Sequence, residues 1–460
     1  MYTEKNAART PHRFDDLRRV VAGRVHVPGD ADWDEVRRPW NVAVEQTPLA
    51  VVEVADAEDV RHAVRWAADH DRQVTAQPVG HGARDDLDQV LLLRTRALNG
   101  IKVDLAARTA TVGAGVKAGE LLAALSGTGL TFLAGSSTDP TVVGMTLGGG
   151  MSWFGRRYGL AANAIEAVEL VDGMGRAWEV TRDSDPELFW ALRGGGGDFG
   201  IVTSMRIRLF PAREVYGGQL MWPVDRLPAV LTAFRAITAD APERLTLWLH
   251  RMQFPPRPEL PEPLRGRAFV TVALTHLGPA AEAESLIAPL RLIPGPVIGQ
   301  LGPVELRDLG QVADEPADPM PSMQHSFLLN DISEDVIDGI CELAGPDSGS
   351  PLMMLKVMHL GGAFRQAGES AGAAGEIAEP YLLFALGVPD SPEAAAAIAG
   401  AFGRLQTRLR DHASGRTVPN FMGTGSGLDQ IWPAGVRAKL AEIKRRVDPM
   451  YTIRSNRPVL

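Results

Sequence analysis

The sequence predicts an α+β fold in two parts, the second of which contains an antiparallel sheet covered by helices. With 460 residues, the chain is longer than one hydrophobic core usually supports. In residues 24–76 the spacing of apolar residues changes from that of a strand to that of a helix and back, which is typical of a small α/β unit. Residues 245–252, 269–275 and 354–358 alternate apolar and mixed side chains with period two, which predicts strands covered by helices on one face.

Composition and charge exclude several classes of protein. Apolar residues make up 45% of the chain and charged residues 22%, values that are ordinary for a folded globular protein. The formal net charge of -9 argues against a nucleic-acid partner, which normally requires a basic surface. Residues 1–23 are polar, and no later run approaches the ~20 apolar residues of a membrane span, so we expect a cytoplasmic protein without a membrane partner.

The same composition gives little support to thiol or metal chemistry. One cysteine, Cys341, excludes an internal disulfide, a CxxC redox pair and a cysteine-rich metal site. Cys341 shares one stripe of a predicted helix over 334–344 with Val336, Ile337 and Ile340, so we expect a buried, unreactive thiol. The ten histidines are scattered and contain no HxxxH pair, so we predict no metal site.

A tight loop at residues 77–83 (QPVGHGA) is the strongest local signal in the first half of the chain. It follows a predicted strand at 73–77, and Gly80 and Gly82 stand on both sides of His81. Glycine lets the main chain approach a ligand closely, and successive N–H groups can converge on an anion such as a pyrophosphate. His81 would then lie beside the group that the backbone holds.

Two further glycine-rich segments predict more close approaches of the main chain. Residues 134–160 are too irregular for a helix and too apolar for a linker, and Gly144 and Gly148 leave room beside the backbone. Residues 194–197 are four successive glycines. Together with the histidine loop, these segments predict three walls around a flat redox cofactor.

The chain between these segments predicts a hairpin and a helix. Residues 168–171 and 178–181 have strand character and flank a turn. We predict that the next helix begins after Ser184, with Glu187 completing a capping box. A dinucleotide fingerprint at 113–115 is rejected because the third glycine and the acidic residue after the next strand are missing.

These segments resemble a known family. The loop around His81, residues 135–160 and residues 185–203 (DPELFWALRGGGGDFGIVT) resemble the FAD-linked oxidases of the vanillyl-alcohol-oxidase fold, and among them the bacterial relatives of the berberine bridge enzyme. The resemblance is detailed over residues 40–212 and is seen again at the C-terminus, whereas few residues between these segments match.

The resemblance implies three divisions of the chain. Residues 1–212 would form an FAD-binding domain with two subdomains, and residues 213–415 a substrate-binding domain with an antiparallel sheet. Residues 416–460 would return to the FAD-binding domain.

The resemblance also implies how FAD is held. In this family the loop histidine is bonded to the 8α-methyl group of FAD, and His81 takes that position. Four residues of the loop depart from the family's usual letters: Gln77, Pro78, Val79 and Gly82. A second link through cysteine would be absent, because Ser137 stands at that position. The residues expected to contact FAD are Pro78, Val79, Gly80, His81, Gly82, Ser136, Ser137, Gly144, Gly148, Ile201 and Asn456.

The catalytic groups are predicted from the strand pattern and from one family motif. His250, Lys356 and Tyr381 are candidates for polar groups of the substrate pocket. Many family members carry a tyrosine base in a Tyr-x-Asn-Phe element; here Asn420 matches, while Val418 replaces the tyrosine. An amine that enters neutral, or an activated substrate, would need no such base.

The expected function is hydride transfer from a small organic, natural-product-like alcohol or amine to FAD, which dioxygen reoxidises with release of hydrogen peroxide. Two alternatives stay open: a flavin-dependent oxidative cyclase or rearrangement enzyme of natural-product biosynthesis, and a non-catalytic FAD-binding protein. The expected partners are a small-molecule substrate and dioxygen, and the expected assembly is a monomer or homodimer.

Overall fold

The computed structural model describes residues 14–366, 368, 371–423 and 425–460, without the side chain of Ile298. Residues 1–13, on which part of the expected location rests, lie outside the described residues. No helix in the described part of the chain has the length and apolar character that crossing a bilayer requires.

A four-stranded sheet comes first among the described residues. Its order is β1-β2-β4-β3, and β4 runs parallel to β2 and β3. The helix between β2 and β3 begins after Asp56, whose carboxylate accepts hydrogen bonds from the N–H groups of Glu58 and Asp59. The predicted α/β unit is confirmed. The elements are β1 (Arg24–His26), β2 (Ala50–Glu53), β3 (Gln73–Ala76), β4 (Val90–Arg94), α1 (Asp15–Val20), α2 (Trp33–Arg37) and α3 (Ala57–Asp69).

An antiparallel sheet follows, with the order β5-β6-β10-β8-β9 in the described chain. Strands β8 and β9 form the predicted hairpin. A short pair, β7 and β11, lies beside this sheet. The elements are β5 (Ile101–Asp104), β6 (Thr109–Gly113), β7 (Leu130–Thr131), β8 (Ile165–Val171), β9 (Ala177–Val180), β10 (Ile201–Arg208), β11 (Phe210–Pro211), α4 (Ala118–Leu125), α5 (Val142–Leu147), α6 (Gly155–Tyr158) and α7 (Pro186–Leu192).

The predicted start of α7 is wrong by one residue. Asp185 caps the helix by accepting a hydrogen bond from the N–H of Leu188, and Pro186 takes the first helical position. The Ser184 hydroxyl instead donates to the main-chain carbonyl of Glu179. A proline at the first position fixes the helix start after Asp185, so Ser184 remains in the preceding turn.

The third sheet is the antiparallel sheet expected in the second half. Its order is β15-β12-β14-β13-β17-β18-β16 in the described residues. Leu245, Leu247 and Leu249 are fully buried against helices on one face, as the alternation predicted. The elements are β12 (Val215–Pro223), β13 (Leu245–Gln253), β14 (Ala268–Leu277), β15 (Ile298–Pro303), β16 (Met323–Leu329), β17 (Met354–His359), β18 (Tyr381–Gly387), α8 (Leu227–Asp240), α9 (Ala280–Leu286), α10 (Ala288–Arg291), α11 (Glu334–Ala344) and α12 (Pro392–Arg408).

Cys341 lies on α11, as predicted, but its side chain is only partly buried. Burial nevertheless raises the pKa of this thiol to about 11, which keeps it protonated and unreactive at neutral pH.

The C-terminal segment returns to the first two sheets. After α13 (Ala434–Val447), Ile453 pairs with Val74 of β3. The buried carboxylate of Asp198 accepts hydrogen bonds from the N–H groups of Ser455 and Val459, each at 3.0 Å. These contacts support our proposed division into residues 1–212, 213–415 and 416–460.

Asp198→Ala should lower the free energy of unfolding by about 3 kcal/mol, because it removes the charged acceptor of two buried N–H groups. Urea unfolding of the full chain measures this change. Asp183→Ala is the matched control, since Asp183 is exposed and its loss should change stability by no more than about 0.5 kcal/mol. Equal stability of the two variants would show that Asp198 does not anchor the segment.

Candidate functional site

A cavity of about 410 Å³ lies between the glycine-rich segments and the seven-stranded sheet. The histidine loop closes one end of it, and side chains from β13, β17 and β18 line the other. All the residues that the resemblance assigned to FAD line this one cavity. They are Pro78, Val79, Gly80, His81, Gly82, Ser136, Ser137, Gly144, Gly148, Ile201 and Asn456.

The main chain leaves room here for a flat group. A Cβ atom added at Gly196 would meet no atom within 4 Å, and one at Gly197 would meet only Leu147, at 4.0 Å. Both glycines line the cavity, so side chains at these positions would project into it. This cradle fits a planar ring system, whose faces need backbone rather than side chains beside them.

Positive charge lies at the end of the cavity near Gly82. Arg454 and Arg457, from the C-terminal segment, both line this end. Arg454 is paired with Asp86, whereas burial lowers the pKa of Arg457 to about 10. At neutral pH Arg457 therefore keeps a charge that suits a pyrophosphate.

His81 is held by Asp139 and Trp40, and Lys117 in turn holds Asp139. His81 Nε2 lies 3.0 Å from Oδ2 of Asp139, and Oδ1 of Asp139 accepts a hydrogen bond from Lys117 Nζ at 2.5 Å. The ring of Trp40 lies over the imidazole with a centroid separation of 4.2 Å. Burial would raise the pKa of the Asp139 carboxyl, but the hydrogen bonds and charges of His81 and Lys117 outweigh it, and the pKa lies below its usual value.

A buried ion pair also lines the cavity. Lys356 Nζ donates to Glu315 Oε1 at 2.5 Å and stands 5.3 Å from the ring centre of Trp248. Burial would raise the pKa of the Glu315 carboxyl, but the charge and hydrogen bond of Lys356 help to bring it below its usual value. Glu315 is therefore ionised at neutral pH.

Asn420 lines the cavity and also fixes one of its walls. Its side-chain oxygen accepts from the N–H of Gly150 at 2.8 Å, and its amide donates to the carbonyl of Met145 at 3.0 Å. The amide thus holds the second glycine-rich segment in place.

Two of the predicted catalytic residues do not line the cavity. Tyr381 lies on the helical face of the sheet, where its hydroxyl shares a 2.7 Å hydrogen bond with Thr238 of α8. The prediction for Tyr381 is wrong because its strand is apolar on both faces, so the sequence does not show which face meets the helices. His250 is opposite Lys356 in the strand register but is buried, and its Nε2 has no hydrogen-bond partner in the described structure.

Sequence reasoning missed several side chains around the cavity. Glu315 lies in an irregular loop over 313–321 that carries no recognisable motif, yet it lines the cavity and bonds to Lys356. The loop folds inward because Trp40 Nε1 donates to the carbonyl of Ala317 and Asn41 bonds to the main chain of Ser322. No local sequence pattern predicts these contacts, since each joins residues that are far apart in the sequence.

One carboxylate cluster outside the cavity groups His26, Asp30 and Asp32 within 4.8 Å. Both ring nitrogens of His26 already bond to carboxylates, at 3.0 Å to Asp32 and 2.9 Å to Glu53. These hydrogen bonds account for the buried imidazole.

Comparison with known proteins agrees with this geometry. Residues 48–181 match a protein family described as an FAD binding domain. The chain is 26% identical over 451 residues to (R)-6-hydroxynicotine oxidase of Paenarthrobacter nicotinovorans, covering 95% of this chain and 96% of that protein. The structure of BBE-like 1 from Physcomitrella patens is 20% identical, with a TM-score of 0.84 over 97% of this chain and 99% of that one. Berberine bridge enzyme from Eschscholzia californica is 16% identical, with a TM-score of 0.80 over 97% and 98%.

The FAD-binding match, the relatives that cover nearly the whole chain and the shared fold define the class: the protein is an FAD-linked oxidoreductase. Within that class its relatives and its fold resemble the FAD-linked oxidases of the vanillyl-alcohol-oxidase fold and the berberine-bridge-enzyme-like group, as expected from the sequence. Its cofactor is FAD, and the cradle at Gly196 and Gly197 fits it.

His250→Met should weaken the pH dependence of stability. Burial, helped by the charge of Lys356, holds the pKa of His250 well below its usual value. Below about pH 6.5 the unfolded chain therefore binds a proton that the folded protein does not. The free energy of unfolding then decreases as the pH falls, by about 1.4 kcal/mol per pH unit. Loss of His250 should remove that contribution.

Urea unfolding between pH 7.5 and pH 5.5 measures the slope. Met252→Leu is the matched control, because it changes the same strand face without a titratable group. An unchanged slope in His250→Met would show that His250 takes up a proton in the folded protein.

Proposed function

We propose that the protein oxidises a small organic alcohol or amine of natural-product type, with hydride transfer to FAD and release of hydrogen peroxide from dioxygen. The observation that carries this proposal is the cavity itself. It joins the cofactor cradle to an end where the Lys356–Glu315 ion pair stands among apolar side chains. Those side chains are Trp248, Met353, Met354, Phe384, Leu386 and Phe421. Such an end suits an apolar substrate that carries one polar group.

The residues of the cradle hold FAD in this proposal. His81 is bonded to the cofactor, and Ser137 leaves that bond as the single covalent link. FAD, when bound, accepts the hydride and passes the electrons to dioxygen. The main chain around Gly80 and Gly148 would lie beside it, and Arg457 would offset the charge of its pyrophosphate.

The ion pair supplies the proton acceptor. Oxidation of an alcohol or amine releases a proton from oxygen or nitrogen as the hydride leaves carbon. Val418 is buried and has no group that takes a proton. Glu315 is an ionised carboxylate at the cavity, so we assign it as the acceptor, and Lys356 orients it. Asn420 keeps the facing wall in position.

An amine substrate has additional support. The relative named above is an oxidase of 6-hydroxynicotine, which is itself an amine. The carboxylate of Glu315 suits a nitrogen that carries partial positive charge as it is oxidised. His250 is paired with Lys356 in the strand register and is neutral because burial lowers its pKa, so it adds no second positive charge beside Lys356.

The covalent bond can be tested on the purified protein. We expect a yellow protein whose colour stays with the acid-precipitated pellet, and an intact mass raised by one FAD. His81→Ala should lose the added mass and release the colour to the supernatant. His62→Ala, outside the cavity, is the control and should behave as the wild type.

Colour released from the wild-type protein by acid would contradict the bond to His81 but leave FAD binding intact. A colourless wild-type protein that takes up no added FAD would contradict the cofactor as well.

Glu315→Gln should slow flavin reduction by about 10²- to 10⁴-fold, the usual range for loss of a positioned acid or base. Anaerobic bleaching of the flavin absorbance with a panel of secondary and tertiary amines and apolar alcohols measures the rate. FAD content should stay at the wild-type level. Glu305→Gln, an exposed glutamate outside the cavity, should bleach at the wild-type rate. Wild-type bleaching by Glu315→Gln would exclude Glu315 as the proton acceptor.

A further inference from the structure

Asp139 is the most buried of the three side chains in the chain of contacts His81–Asp139–Lys117. Its side chain is 8% exposed, compared with 30% for His81 and 45% for Lys117. One carboxylate oxygen faces the imidazole and the other faces the ammonium group. A buried carboxylate needs such partners, and Lys117 alone supplies a full balancing charge.

This geometry fixes which ring nitrogen of His81 carries the proton. An ionised carboxylate only accepts hydrogen bonds, so the nitrogen facing it, Nε2, must be the N–H donor. In the neutral imidazole the proton is then absent from Nδ1, whose lone pair is free to form a bond. The Trp40 ring over the imidazole limits its rotation, so that the assignment of the two nitrogens is maintained.

We propose that Asp139, held by Lys117, is the positioning residue that prepares His81 Nδ1 to bond with FAD. This inference rests on the proposed covalent attachment and goes further, because it assigns the bonding nitrogen and the residue that selects it. Asp139 itself does not touch the cofactor in this proposal and acts only through His81.

The charges of the attachment step support the assignment. The Nδ1 lone pair forms a bond to the 8α-carbon, and one C–H bond of that carbon breaks. Two electrons and the released proton, with a second proton from solvent, reduce dioxygen to hydrogen peroxide. His81 is left as a cation that still donates from Nε2 to Asp139, so the carboxylate stabilises the product. The face of Trp40 also favours a cationic ring.

Asp139→Asn removes the charge and replaces an obligate acceptor by an amide that can also donate. We expect this variant to bind FAD, but the fraction of flavin retained in acid, measured at a fixed time after FAD is added, should fall at least tenfold. Asp139→Glu keeps the carboxylate and should retain most of the attachment. Asp88→Asn is the matched control, since Asp88 is exposed, does not line the cavity and accepts a hydrogen bond from Thr47.

The tautomer provides a second, independent measurement on the wild-type chain. With ¹⁵N-labelled histidine, long-range ¹H–¹⁵N correlation spectra before FAD is added should show His81 protonated at Nε2, with His81→Ala identifying its signals. This result does not depend on the folding of any Asp139 variant.

The outcomes separate this inference from the proposed function. Acid-stable flavin in the wild type and an equal amount, formed equally fast, in Asp139→Asn would overturn the role of Asp139 and leave the bond to His81 standing. A proton on Nδ1 in the wild type would overturn it too. Complete release of flavin from the wild type in acid would overturn both proposals.

Discussion

The cavity depends on one constraint: main chain, rather than side chains, must form one of its walls. Two glycines, Gly196 and Gly197, leave open space where side chains would stand, and Asn420 holds the neighbouring wall by bonding to Gly150 and Met145. Glycine costs conformational entropy, so the fold must secure these segments from outside. The helices and sheets around them provide that support, and a flat cofactor can then lie against the backbone.

Two ion pairs of the same design stand at the cavity, one lining it and one behind His81. Lys117, which precedes α4, and Lys356, on β17, each meet an acidic residue from an irregular loop, Asp139 and Glu315. Each lysine keeps its carboxylate ionised in a partly buried place, where an unpaired acid would tend to take up a proton. Each carboxylate is thereby available for a further task, Asp139 beside His81 and Glu315 beside the apolar side chains of the cavity.

The sequence predicted the features that depend on local rules, and missed those that depend on pairing across the chain. Period-two strands and the hairpin of residues 168–171 and 178–181 follow from backbone sterics and local hydrogen bonding, and the structure contains them. Tyr381 was misplaced because the strand Tyr381–Gly387 is buried on both faces. Its residues Phe384 and Leu386 line the cavity, but the sequence of such a strand does not show which face meets the cavity and which meets the helices. Glu315 could not be found, since only its contact with Lys356 distinguishes it from a solvated acid.

The loop over 313–321 connects the two ion pairs. Trp40 stacks on His81 and donates to the carbonyl of Ala317, and Glu315 on the same loop reaches Lys356. The arrangement at the cofactor end and the arrangement at the substrate end are therefore not independent, because a shift of Trp40 moves the loop that carries Glu315. In this fold, the indole that limits rotation of the histidine also helps to set the position of the Glu315 carboxylate.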